Sequence, residues 1–208
     1  MSVDGKIASP SGKQVRISSD EDMRRVYHLR HNVDAVLVGI ETVLNDDPKL
    51  TVKEKYVEHP HQPIRVVLDT YCRTPLEALV VNETAKTIIF KGENQPCSKK
   101  FNDTVTVLSA PTQNGIIDIQ NTLDQLSKQG IKTLLVEGGG TVIWHFINKG
   151  FFDDVFVYIG SMIIGGKHTP TIAMGQGFKH EKEFIRLQLM DIKRLGDGIL
   201  LHYQPALI

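Results

Sequence analysis

The sequence predicts an α/β fold with a mostly parallel sheet flanked by helices and finished by an antiparallel hairpin. Three observations predict it. Short apolar, β-branched runs alternate with helical patterns through most of the chain, which implies parallel pairing. One of those runs, Val33 to Val38, stops at Gly39, as a strand covered on both faces does. After Gly177 the pattern changes to two long β-like segments. At 208 residues the chain can bury a substantial core, and one domain is the expected count.

The elements follow in order. Ser19 caps a helix with Asp20, Glu21 and Asp22 in its first turn and Met23, Val26, Tyr27 and Arg30 at helical spacing, its apolar side toward the sheet. Strands are expected at Val33 to Val38, Leu50 to Val52, Ile64 to Asp69, Lys86 to Lys91 and Thr104 to Leu108. Ile119 to Gln129 places Leu123 and Leu126 on one face and ends at Gly130, the pattern of a helix. Ile131 to Val136 reads as a strand, Val142 to Asn148 as a helix ending at Gly150, and Val155 to Ile159 as a strand. Phe184 to Leu195 and Ile199 to Tyr203 then form the hairpin, with Gly196-Asp197-Gly198 as its turn.

Composition excludes several classes. Lys plus Arg equal Asp plus Glu at 24 each, so nothing points to nucleic acid or to an anionic membrane, while small molecules remain open as ligands. No apolar run approaches membrane-spanning length, and the start has no basic region followed by a hydrophobic stretch, so a cytoplasmic protein is expected. Cys72 and Cys97 have no metal-like spacing and make no disulfide framework; both read as reduced. The pairs His59/His61 and His28/His31 lack a third ligand at helix or hairpin spacing, so no metal site is expected. The zinc deaminase signature, H-x-E followed by P-C-x-x-C, is absent.

Chemistry concentrates at two places. In Asp34 to Val52 (DAVLVGIETVLNDDPKLTV) a buried strand runs into Thr42, Asn45, Asp46, Asp47 and Pro48. Ligands of open α/β sheets bind at that end of a strand, although a β-turn alone would also use these residues. In Leu134 to Thr141 (LLVEGGGT) an apolar strand meets Gly138, Gly139, Gly140 and Thr141 before a helix. Such glycines let a phosphate approach the backbone at a helix start, whose N–H groups are free; a tight strand-to-helix turn is the plain alternative. Glu137, ending a buried strand, needs a partner: a ligand hydroxyl, or the next helix as a cap.

These strings, with Ser2 to Ala8 (SVDGKIA) and Ile64 to Thr70 (IRVVLDT), resemble in order the motifs of the riboflavin-biosynthesis reductases, a branch of the dihydrofolate-reductase-like fold. The resemblance spans nearly the whole chain and implies a single reductase domain over 1–208 of the stand-alone type. Family members carry a further strand before the first motif, and this chain begins at Met1 inside it, which would leave two neighbouring strands without a partner. The closing basic residue of the second motif is Lys53 where the family has arginine.

The resemblance implies NADPH as cofactor. Thr42 and Asp46 would lie near the nicotinamide and its ribose, Thr70 on the adenosine side with Arg73 available to a 2′-phosphate, and Gly138 to Thr141 at the pyrophosphate. Leu50 would contact substrate, Glu137 would orient its sugar, and Arg30 and Lys53 would hold its phosphate; solvated surface charge is the alternative for the last two. Gln14, with Lys13 and Arg16, is a candidate site-lining residue. Asp46 and Glu137 share the assisting-carboxylate role. Gly165-Gly166 and Gly175 to Gly177 form either a lid or plain turns.

The implied reaction reduces the ribosyl side chain of 2,5-diamino-6-(5-phosphoribosylamino)pyrimidin-4(3H)-one to the ribitylamino form, by hydride addition to the anomeric carbon of the ring-opened imine. A reductase of the deaminated uracil compound, a dihydrofolate- or pteridine-type reductase and a non-catalytic nucleotide-binding module are the other readings. The family implies a homodimer.

Overall fold

The computed structural model describes residues 1–206, and the chain falls into two compact units: Met1–Arg25 together with the chain from Gly140 onward (unit one), and Val26–Gly139 (unit two). In chain order the elements are α1 Asp20–His31, β1 Ala35–Gly39, α2 Ile40–Asp46, β2 Ile64–Leu68, β3 Thr87–Gly92, β4 Val105–Ala110, β5 Thr112–Gln113, β6 Ile116–Ile117, α3 Ile119–Lys128, β7 Leu134–Gly138, α4 Gly140–Asn148, β8 Val155–Ile159, β9 Leu187–Leu195 and β10 Gly198–Pro205. Helix α1 begins in unit one and ends in unit two.

Unit two is built on a parallel sheet in the order β4-β3-β2-β1-β7. All five residues of β1 are buried, which is why this strand shows no polar alternation in sequence. Val36, Val38, Val67 and Ile89 from three neighbouring strands pack with Val43 of α2 and Val80 in one core cluster. Each such side chain contributes roughly 1.5–3 kcal/mol when fully buried. Helix α3 is capped as its sequence suggests: the Asp118 carboxylate accepts the Asn121 N–H at 2.7 Å, and Gly130 follows at φ +83°.

A buried arginine sits inside this sheet. Arg65, on β2 with no exposed surface, donates to the carbonyls of Leu79, Asn82 and Ala85 and to the Asn82 side chain, pinning the segment that carries one 3-10 turn, Leu79–Val81. Burial of the guanidinium lowers its pKa to about 10.

Unit one carries an antiparallel sheet in the order β8-β10-β9. Leu195 pairs with Gly198, so the hairpin turn is Gly196-Asp197, with Gly196 at φ +61°. The start of the chain also belongs to this unit: Ser2 bridges Gly160 in parallel, and the Met1 ammonium donates to the Tyr158 carbonyl at 2.5 Å. The Ser19 hydroxyl accepts the Asp22 N–H at 3.2 Å and so caps α1 as expected.

Several expectations need correction. Leu50 to Val52 is not a strand: Leu50 has φ +52°, which no strand residue adopts, and both main-chain groups of Val52 bond to the Gln62 side chain instead of a neighbouring strand. Thr42, Asn45 and Asp46 lie on α2, and the chain turns only at Asp47, φ 41°. Strand β7 runs through Glu137 to Gly138, two residues beyond its expected end, and β9 begins at Leu187, three residues late. Asn114-Gly115 makes a tight turn between β5 and β6, an unexpected hairpin although Asn-Gly is a strong turn signal. The cysteines are joined: Cys72, after β2, and Cys97, after β3, have Cα atoms 5.6 Å apart and form a disulfide. That separation is within normal bridging range, and adjacent parallel strands, not sequence spacing, produce it.

Candidate active site

In unit two, Glu137 is placed by an irregularity. The β1–β7 register runs from Leu37↔Val136 to Val38↔Gly138, so Glu137 is an extra residue with no partner on β1. A bulge of this kind re-aims a side chain beside a strand end. The carboxylate meets Arg30 of α1 in a two-point bond, Nε to Oε1 at 2.7 Å and Nη2 to Oε2 at 2.6 Å. The Arg30 Nη1 also donates to the Thr51 carbonyl at 3.3 Å. Three of its five N–H groups are thereby engaged, and one remains on each terminal nitrogen.

The pair is neither buried out of reach nor solvated: the side chains are 14% and 18% exposed. Burial alone would lower the Arg30 pKa, but the charge of Glu137 and its hydrogen bonds outweigh burial and raise it. Arg30 is therefore a permanent cation that holds an anionic carboxylate at the end of a parallel strand. The helix-cap alternative for Glu137 is not what the geometry shows, since its partner lies 107 residues earlier in the chain.

The glycine turn begins beside this carboxylate. The Thr42 hydroxyl accepts the Gly139 N–H at 3.1 Å, which ties α2 to the turn. A Cβ built at Gly138 or Gly139 would meet, within 4 Å, the Thr42 hydroxyl alone, at 3.6 and 3.4 Å. Protein packing therefore does not require glycine at either position, and the bare backbone leaves space for a ligand to approach. Gly140, in unit one, is different: a Cβ there would strike the Thr171 carbonyl and come within 2.8 Å of Met174 Cγ, so packing requires glycine.

The remaining candidates of unit two separate into groups. Asp46 ends α2 and is half-buried, while Asp47 has a structural task, accepting the Leu79 N–H at 2.7 Å. Leu50 is 2% exposed and packs in the core cluster, so any substrate contact here would have to come from its main chain. Lys53 is exposed, with its ammonium 5.6 Å from the Tyr27 ring centre; Arg30 lies 5.4 Å from the same ring. Beyond β2, Thr70 donates to the Gly115 carbonyl at 3.0 Å and Arg73 pairs with Glu41 at 2.5 Å on the surface.

In unit one, Gln14 and Lys13 are exposed, and Arg16 pairs with Asp20. Thr141 is exposed in the first turn of α4. Asp4 accepts the N–H groups of Ile164 (3.0 Å) and Gly165 (2.7 Å), a contact that holds the Gly165-Gly166 loop. Gly175 packs on the Trp144 indole, and Trp144 lines an apolar cavity of about 480 Å³ with Phe178 and Tyr203. His145 has its pKa lowered by burial and by Lys149. Among the described residues, no three His, Cys, Asp or Glu side chains are grouped to hold a metal ion, and no helix is long and apolar enough to cross a membrane.

The motifs and geometry agree with what comparison finds, for the model of the RibD C-terminal domain matches residues 1–201. The chain belongs to the RibD C-terminal domain family. It is 38% identical over 205 residues to the 2,5-diamino-6-ribosylamino-4(3H)-pyrimidinone 5′-phosphate reductase of Methanothermobacter thermautotrophicus, covering 98% of this chain and 94% of that protein. It is 37% identical over 204 residues to the enzyme of the same name from Archaeoglobus fulgidus, covering 95% and 91%. Among solved structures, a diaminohydroxyphosphoribosylaminopyrimidine deaminase/5-amino-6-(5-phosphoribosylamino)uracil reductase of Thermotoga maritima superposes with a TM-score of 0.82 at 25% identity, covering 99% of this chain and 54% of that one. The fold is that of the riboflavin-biosynthesis reductases, a dihydrofolate-reductase-like α/β fold, as the motifs implied.

Proposed function

We propose that this chain, as a single reductase domain, reduces 2,5-diamino-6-(5-phosphoribosylamino)pyrimidin-4(3H)-one to its ribitylamino form with NADPH. The observation that carries the reading is the Arg30–Glu137 pair at the bulged end of β7, next to glycines that packing does not require. Its setting supports the substrate: the relatives that match over nearly their whole length bear the name of this reductase.

Glu137, oriented by Arg30, would accept hydrogen bonds from the hydroxyls of the opened sugar, and with Asp46 it would assist proton movement at the ribose. The spare N–H groups of Arg30 and the ammonium of Lys53 would bind the ribose phosphate. Gly138 and Gly139 would take a pyrophosphate, Thr42 and Asp46 would face the nicotinamide side, and Thr70 and Arg73 the adenosine side. Bound NADPH supplies the hydride. Arg73 would favour NADPH over NADH by pairing with the 2′-phosphate in place of Glu41.

The order of reduction before deamination rests on the names of the relatives matched over nearly their whole length. The Thermotoga maritima likeness favours the deaminated uracil compound as the second reading. A pocket that accepts hydrogen bonds from a 2-amino group leaves an acceptor unpaired against an oxo group, so the two substrates should differ strongly in kcat/KM. Higher kcat/KM on the diamino compound is expected; preference for the uracil compound would reverse the order.

The protein would act in the cytoplasm as a homodimer. Leu187, Leu189, Met190 and Ile192 on β9 and Phe156 on β8 are exposed, an apolar surface that a second copy would cover.

A further inference from the structure

Between β1 and β2 the chain makes a loop, residues 53–62, that is tied down at three points. At its neck, the Gln62 side chain accepts the Val52 N–H at 2.8 Å and donates to the Val52 carbonyl at 2.9 Å. Near its return, the His61 N–H donates to His31 Nδ1 at 3.0 Å. At its middle, the Tyr56 ring stacks on Tyr27 of α1, with centroids 4.5 Å apart and planes 11° from parallel.

Tyr27 is buried, and it is more than an anchor. Arg30, three residues on along the same helix, has its guanidinium carbon 5.4 Å from the Tyr27 ring centre, and the Lys53 ammonium is 5.6 Å from it. One ring thus lies under both cations proposed to meet the substrate phosphate. Arg30 is independently fixed by Glu137, whereas Lys53 is exposed on a flexible four-carbon stem. Two like charges left in water would diverge; the negative face of an aromatic ring attracts both and offsets part of their repulsion.

We infer that Tyr27 and Tyr56 are positioning residues: their stack docks the 53–62 loop on α1 and keeps Lys53 beside Arg30 as a preformed pair for a phosphate. The inference rests on the phosphate reading of Arg30 and Lys53 given above. Holding Lys53 before binding lowers the ordering cost that binding would otherwise carry, so the effect belongs in KM and not in kcat. It depends on the rings and not on the hydroxyls.

The test uses Tyr56→Ala and Tyr56→Phe, with the phosphoribosyl substrate, its dephosphorylated counterpart, and inorganic phosphate as a competitive inhibitor. Tyr56 is half-buried on a loop, so its removal spares the core. Tyr56→Ala should raise the substrate KM and the phosphate inhibition constant together, about three- to fivefold on the scale of a lost cation–aromatic contact. Its kcat, its KM for NADPH and its kcat/KM on the dephosphorylated compound should match the wild type, and Tyr56→Phe should restore all values. Unchanged KM and phosphate inhibition in Tyr56→Ala, equal losses on both substrates, or a Tyr56→Phe variant as impaired as Tyr56→Ala would each overturn the positioning role alone. A wild-type enzyme that ignores inorganic phosphate and handles both substrates equally would overturn the phosphate reading, and this inference with it.

Discussion

Strands β2 and β7 both run into an acidic residue, Asp69 and Glu137, and in sequence the two ends look alike. The structure treats them oppositely. Asp69 is fully buried and closes on its own turn, its Oδ2 accepting both the N–H and the hydroxyl of Thr74 at 2.7 Å while its Oδ1 has no hydrogen-bond partner. Glu137, 18% exposed on a bulge, takes its partner from a helix 107 residues away. A carboxylate closed on its own turn is a folding device. One held by a distant arginine and partly open to solvent can still meet a ligand, as proposed for Glu137.

Substitution distinguishes the two carboxylates. Glu137→Gln keeps the shape and removes the charge, and kcat/KM should fall about a hundredfold or more if the carboxylate assists proton movement. Asp69→Ala should act on stability, lowering it by about 2–4 kcal/mol for two lost buried bonds, while kcat of the folded fraction holds. Denaturant titration and steady-state kinetics on both variants test this; if Asp69→Ala loses activity without stability, the contrast is wrong.

Lys53→Ala should raise KM by the equivalent of about 1–3 kcal/mol and leave NADPH affinity unchanged. Poor NADPH binding with normal substrate handling would move Lys53 to the cofactor side. Arg73→Ala should have a smaller effect, because its pair with Glu41 is exposed and worth at most about 1 kcal/mol to stability. Its cofactor preference should nonetheless shift from NADPH toward NADH, and a variant that keeps full preference would remove Arg73 from the adenosine side.

The smallest effect concerns pH. Hydrogen bonds from Ser2 and from the Ile164 and Gly165 N–H groups lower the Asp4 pKa to about 2. A depressed carboxyl pKa contributes stability that is full above the unfolded value and lost as pH falls through the folded one. Amide protons of Ile164 and Gly165 should therefore stay protected down to about pH 4 and lose protection progressively toward pH 2. Loss of protection beginning at pH 5 would show that Asp4 does not hold the loop.

Much of this was legible in the sequence, and for identifiable reasons. Local rules act within a few residues, so the Ser19 cap, the Gly39 strand stop and the place of the last hairpin turn could be read directly, although Gly198, expected in that turn, already belongs to β10. The Glu137 site was legible as a demand for a partner, but not which partner, because the Arg30 contact depends on how α1 lies along the sheet. The Cys72–Cys97 bond depends likewise on β2 and β3 being neighbours. Leu50 looked like a strand residue because apolar patterning carries no sign of φ. The Tyr27–Tyr56 stack joins a helix to a loop, and neither tyrosine is marked by any local motif.

In the reaction proposed for this chain, hydride reaches the anomeric carbon of a phosphoribosylamino-pyrimidine. This transfer is tested most directly by turnover of the purified diamino phosphoribosyl compound with NADPH carrying deuterium at the transferred position, followed by locating the label in the product. One deuterium on the first carbon of a ribitylamino side chain is expected. Deuterium in the ring system, as a pteridine-type reductase would place it, or no cofactor oxidation at all, would contradict it.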